Sequence, residues 1–186
     1  MIFEQLIYTD LGCASYLVGC QKVGEAVVVD PSLDTRALER ALDHHKARLV
    51  GVIETHTHAD HVSGHGALAL ELGVPVYVSA LAGAAHDHIG LADGDSVNVG
   101  NIELRTMHTP GHRPEHIALE VIDHTRSDEP WLLLTGDSLF VGDVARPDLA
   151  VDGEVRPRDV ADEEAVAGEE QPRLVGARVV DHLERD

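Results

Sequence analysis

Thr55-His56-Thr57-His58-Ala59-Asp60-His61 crowds three imidazoles and one carboxylate into its last six residues, directly after the apolar run Leu49-Val50-Gly51-Val52-Ile53. Neutral imidazole and carboxylate are ligands that Zn(II) and Fe(II) accept. The run before them is apolar on both faces, as a strand covered on both sides would be. A strand that delivers such a cluster to the loop at its C-terminal end is a common way to build a metal site. A chain with 13 histidines could carry three together on a solvated surface. Ligand type and spacing favour the metal loop.

Two further segments repeat this construction. His108-Thr109-Pro110-Gly111-His112 follows a strand-like stretch over 101–107, and its Pro-Gly turn displays His112 at a sheet edge. Thr135-Gly136-Asp137 closes the apolar stretch 131–134, its glycine clearing backbone space beside a carboxylate. Three separate strands thus finish in a metal-ligand residue, and in open α/β layers ligands gather at such strand ends.

Around these segments, residues 3–8 and 14–18 read as short strands separated by a turn at Asp10-Leu11-Gly12. A β-branched run over 25–29 stops at Asp30-Pro31. Ser32 or Asp34 can cap a helix reaching Lys46, with Leu33, Ala37, Leu38, Ala41 and Leu42 at helical spacing. A second helix is expected over 64–72, ending at Gly73, and strands over 74–78 and 116–122. Residues 80–100 carry no clear pattern beyond the turn signal Asp93-Gly94-Asp95. Strands alternating with helices, plus strand pairs, predict an α/β sandwich with mixed sheets.

At 186 residues the chain can form one domain with a sizeable core. A net charge of −19 repels phosphate backbones, which argues against nucleic acid as a partner. No apolar run approaches the ~20 residues of a membrane helix. The start Met1-Ile2-Phe3-Glu4 lacks a basic flank and a long apolar stretch, so the cytosol is the expected location. Cys13 and Cys20 form no CxxC pair and read as small buried residues rather than as a disulfide framework, a thiolate zinc site or a nucleophile.

His56-Thr57-His58-Ala59-Asp60-His61, Thr109-Pro110-Gly111-His112 and Gly136-Asp137 together resemble the signature of the metallo-β-lactamase superfamily, over residues 1–150. Thr109 to His116 and the string Thr135-Gly136-Asp137-Ser138-Leu139-Phe140-Val141-Gly142-Asp143-Val144-Ala145-Arg146-Pro147-Asp148-Leu149 are similar to one branch, the persulfide dioxygenases and their rhodanese-fused bacterial relatives. Ala145 stands where that branch has glycine.

The resemblance implies an αββα sandwich with one Fe(II) held by His56, His112 and Asp137. His58, Asp60 and His61 would support that centre by hydrogen bonds or hold a second metal. The implied reaction oxidises glutathione persulfide, or a similar low-molecular-weight persulfide, with O₂ to sulfite. Arg146 is the candidate to grip a substrate carboxylate, and a rhodanese partner follows by analogy. The alternatives are a dinuclear Zn(II) thioester hydrolase resembling glyoxalase II and an incomplete, inactive metal-binding domain. His65, His86, His88, His116 and His124 read as ordinary polar residues.

Family members continue past Arg146-Pro147-Asp148-Leu149 with a helix, a strand and a second Pro-Gly-His turn. Nothing of that kind is recognisable after Ala150, and His182 lies in a charged terminus. The expectation is therefore a domain over 1–150 lacking its C-terminal part, as from a truncated or frame-disrupted gene, and an acidic tail over 151–186. Residues 152–172 are expected to lack order, and a short helix over 173–183 is the one regular element to consider there. A dinuclear zinc centre would lack a donor; the iron trio is complete before residue 138.

Overall fold

The computed structural model describes residues 1–8, 13–140, 143–144 and 173–175. Strands β1 (Ile2–Tyr8), β2 (Cys13–Cys20), β3 (Glu25–Val29), β4 (Arg48–Ile53), β5 (Val76–Ser79) and β6 (Ile89–Leu91) form the first sheet in that order. The first three pair antiparallel, whereas β3 through β6 pair parallel. The crossovers are made by α1 (Arg36–His45), between β3 and β4, and by α2 (His65–Leu72), between β4 and β5.

The second sheet contains β7 (Ser96–Val99), β8 (Ile102–His108), β9 (Ile117–Asp123) and β10 (Leu132–Leu134), all antiparallel neighbours. A short hairpin, β11 (Leu139–Phe140) with β12 (Asp143–Val144), follows. A last strand, β13 (Arg173–Val175), pairs parallel with β10. That strand stands where a terminal helix was considered, and the second sheet therefore draws on residues beyond Ala150.

Side-chain alternation builds two cores from one sheet. Tyr16, Val18, Val27, Val29 and Ile53 pack between the sheets against Leu104, Ile117, Leu119, Val121, Leu132 and Leu134. The intervening Leu17, Ala26, Val28, Leu49 and Val52 pack with Leu38 and Ala41 of α1 and Leu68 of α2. Beyond their charged first residues, Glu25 and Arg48, strands β3 and β4 are apolar because both their faces are covered. These layers are those of an αββα sandwich, with the described helices lying over the first sheet.

The helix boundaries follow local chemistry. The N-cap of α1 is Thr35, with no side-chain cap bond, and not Ser32 or Asp34 as expected; Asp34 instead accepts the backbone N–H of Arg36 at 3.1 Å and pairs with its guanidinium. Ser63 Oγ accepts the backbone N–H of His65 at 3.2 Å, and α2 ends at Gly73 with φ 65°. The unpatterned stretch 80–100 holds two strands that the sequence did not signal, β6 and β7. The turn at Asp93-Gly94-Asp95, with Gly94 at φ 85°, passes the chain from one sheet to the other. The turn expected at Asp10-Leu11-Gly12, Arg146, residues 152–172 and His182 lie outside the described residues. Among the described residues no helix is long and apolar enough to cross a membrane.

Candidate metal centre

Three strand ends converge at one edge of the sandwich. His56 lies three residues beyond β4, His112 four beyond β8, and Asp137 three beyond β10. One donor atom from each falls within 4.8 Å of the other two. Asp137 Oδ2 is 4.0 Å from His56 Nε2 and 3.7 Å from His112 Nε2. Donors around a divalent ion at ~2.1 Å stand ~3.0–3.4 Å apart. Shortening the two carboxylate–imidazole distances to ~3.4 Å takes well under an ångström, within reach of side-chain torsions, so the trio fits such an ion.

The orientation of His56 is fixed from behind. Asp30, at the end of β3, accepts the Thr55 backbone N–H and the Thr55 hydroxyl, each at 2.7 Å. With its own proton committed to Asp30, the Thr55 oxygen accepts the His56 Nδ1 proton at 3.0 Å. That leaves the Nε2 lone pair facing His112 and Asp137. Burial holds the His56 imidazole at a pKa of about 3, the neutral form a metal requires. Asp30 itself sits at φ 50°, a left-handed conformation that Asp tolerates through local hydrogen bonds.

Asp137 is placed by His116, a fully buried residue whose Nε2 accepts the Asp137 backbone N–H at 3.2 Å. The other ring nitrogen lies 2.9 Å from Thr109 Oγ1 and 3.0 Å from Ser138 Oγ. Burial also lowers the His116 pKa to about 3. One neutral imidazole thus ties the Pro-Gly-His turn to the Gly-Asp segment. Gly136 is required between them: it has φ 50°, and a Cβ there would lie 2.6 Å from His116 Nε2 and 2.7 Å from Thr55 Oγ1. Burial raises the Asp137 pKa, a cost a bound cation would offset.

His58, whose ring lies 4.2 Å from that of His56, turns its Nε2 to two carboxylates. Its Nε2 lies 3.2 Å from Asp30 Oδ1 and 3.0 Å from Glu54 Oε2. Burial opposes its charge, but the two carboxylates outweigh that and lift its pKa to about 11. Glu54 is buried too and accepts the Ser63 hydroxyl at 2.5 Å. Asp60 and His61 pair with one another, Oδ1 to Nδ1, at 3.1 Å. Glu115, buried behind His112, accepts the Thr57 hydroxyl and the Arg113 Nε proton, which joins the His-rich loop to the turn.

Asp30, Glu54, Glu115 and His116 are absent from the sequence-derived candidates. For His116 the strand pattern even argued against a role, yet the ring lies 5.1 Å from that of His56, centroid to centroid. The available signal was position: Asp30 and Glu54 each end an apolar strand, as the ligand segments do. A cleft of about 510 Å³, lined by His58, His61, Val62, Val78 and His86 among others, reaches the trio at His56.

The chain is 35% identical over 150 residues to the human mitochondrial persulfide dioxygenase ETHE1, covering 79% of this chain and 56% of that protein. It is 33% identical over 132 residues to the hydroxyacylglutathione hydrolase of Nitrosococcus oceani, covering 68% of this chain and 47% of that one. A metallo-beta-lactamase from Staphylococcus aureus superposes with a TM-score of 0.75 at 39% identity, covering 80% of this chain and 47% of that one. The chain thus spans about half the length of these relatives. The metallo-beta-lactamase superfamily profile matches residues 8–180, most of the chain and both sheets. With the sandwich, the strand-end cluster and that match in agreement, the chain belongs to the metallo-beta-lactamase superfamily.

Proposed function

We propose that the protein is a mononuclear iron persulfide dioxygenase, with His56, His112 and Asp137 as the metal ligands. The observation that carries this reading is the commitment of His58 Nε2 to Asp30 and Glu54. It leaves two imidazoles and one carboxylate, a ligand set that suits Fe(II) and keeps positions open for small reactants. The 35% identity to human persulfide dioxygenase supports the same branch.

When bound, Fe(II) supplies the redox chemistry that lets O₂ react with a sulfur nucleophile. The chain's own residues do the rest. Asp30, through Thr55, holds His56 in its Nδ1-protonated tautomer, and His116 holds the Asp137 backbone. The cleft that reaches His56 would receive the persulfide, and holding it there would replace a chance encounter by oriented neighbours. Overall, one persulfide, one O₂ and one water give the free thiol and sulfite with two protons. Glutathione persulfide is the proposed substrate, Arg146 the group that pairs with its carboxylate, and a rhodanese the proposed supplier of sulfane sulfur.

Oxygen uptake by iron-loaded protein with glutathione persulfide tests this reading, with Asp137→Ala as control. Uptake that survives the substitution would remove the ligand assignment. A second reading, a dinuclear zinc thioester hydrolase, draws on the match to hydroxyacylglutathione hydrolase. Thioester cleavage by zinc-loaded protein, with no oxygen uptake by iron-loaded protein, would decide for it.

A further inference from the structure

We propose that His65, His86 and His88 form a binding site that takes Zn(II) or another borderline divalent ion. The site shares no residue with the trio of His56, His112 and Asp137. Read from the sequence as ordinary polar residues, the three histidines meet only in the fold. His65 opens α2, whereas His86 and His88 stand in the segment between β5 and β6. The His65 and His86 rings lie 4.6 Å apart and the His86 and His88 rings 5.5 Å apart, centroid to centroid.

Those spacings suit a shared ion. With the ion ~2.1 Å from each Nε2, two imidazole centroids stand ~4.5 Å apart at a right angle and ~5.5 Å apart at a trigonal one. The His56 and His112 rings, 4.9 Å apart, fall inside the same range. His86 and His88 are exposed, so their rings are free to turn onto a common point.

Hydrogen bonding selects the nitrogen that would bind. His86 Nδ1 lies 3.1 Å from the Asp87 carbonyl and His88 Nδ1 lies 2.7 Å from the His86 carbonyl. A carbonyl only accepts, so each Nδ1 carries the proton and each Nε2 keeps its lone pair. His65 Nδ1 is buried and lies 3.3 Å from Glu54 Oε1, yet it is not aligned for a hydrogen bond. An ion on His65 Nε2 would resolve that orphan, because metal-bound imidazoles donate their other N–H to a carboxylate or carbonyl behind them. All three rings thus have an acceptor on the Nδ1 side and present Nε2 to a ligand.

Donor type and access set the class of ion. Three neutral imidazoles favour Zn(II), Ni(II) or Cu(II) over Mg(II) and Ca(II), which prefer oxygen. A fourth position stays open to water. His65 and His86 line the cleft that reaches His56, so the bound ion would stand at its wall. The field of a chain with net charge −19 raises the local concentration of cations.

Long-range proton–nitrogen NMR spectra of the histidine rings test the site, because coordination changes the shift of the nitrogen that binds. In metal-free, full-length protein given a small molar excess of Zn(II), the Nε2 signals of His65, His86 and His88 should move together and return on chelation. Mg(II) at the same concentration should move none of them. His112→Ala, which dismantles only the other centre, should leave the movement intact. His86→Gln, a change at an exposed position, should leave the His65 signal unmoved by Zn(II). His65 and His86 signals that stay fixed at that excess, or a His65 signal that moves as before in His86→Gln, would overturn the proposal.

Discussion

The Nε2 atom of His116 accepts the backbone N–H of Asp137 at 3.2 Å, so a side chain rooted at the start of β9 positions a carboxylate that follows β10. His116→Ala would leave that N–H and the nearby Thr109 and Ser138 hydroxyls without their buried partner. A loss of about 2–4 kcal/mol in unfolding free energy is expected, measured by urea denaturation. A change below about 0.5 kcal/mol, within the usual range of surface substitutions, would show that the imidazole does not organise this corner.

Gly136→Ala addresses the same corner from the backbone. The residue would need both a left-handed φ and space occupied by His116 and Thr55. Destabilisation of about 2–4 kcal/mol is expected from strain and overpacking together, together with weaker Fe(II) binding. A crystal structure of the variant with Asp137 and His116 unmoved would contradict this account.

Asp30→Asn keeps the shape and the tolerance for φ 50° while removing the charge that receives both Thr55 protons. Fe(II) affinity should fall by about 10–100-fold, because the tautomer of His56 is no longer enforced. Isothermal titration under anaerobic conditions reads this directly. An unchanged affinity would mean that His56 is oriented by something else.

Away from the site, Asp128 and Glu103 flank His124 and raise its pKa above the ordinary ~6.5. The sign follows from linkage: the pairing contributes fully below the unfolded value and is lost as pH rises through the folded one. In an NMR titration the His124 ring should show a midpoint above those of unpaired histidines, and Asp128→Asn should bring it down. A midpoint that does not respond to that substitution would rule out the pairing in solution.

Much of this architecture can be seen in the residue order, for a physical reason. Runs such as 49–53 and 131–134 are apolar because they are covered, and they stop at polar residues because the sheet edge is where polar atoms can converge. The His56, His112 and Asp137 segments share that grammar, so they stand out together. β6 and β7 did not, because Ile89-Gly90-Leu91 and Ser96-Val97-Asn98-Val99 each bury only one or two apolar side chains, and glycine and polar residues break the run. His116 was missed for another reason. Its partner Asp137 lies 21 positions away, and only the closed sandwich brings the two within reach. Glu54 and Glu115 are buried acceptors through that same closure.

His56 belongs to one plate of the sandwich, whereas His112 and Asp137 belong to the other, so an ion shared among them rivets the two plates at one rim. Sliding one plate over the other by a single side-chain register would pull the rivet. Metal loading and the alignment of the two layers are then a single equilibrium: iron should protect the amides of β4, β8 and β10 together from hydrogen exchange, and chelation should release all three at once.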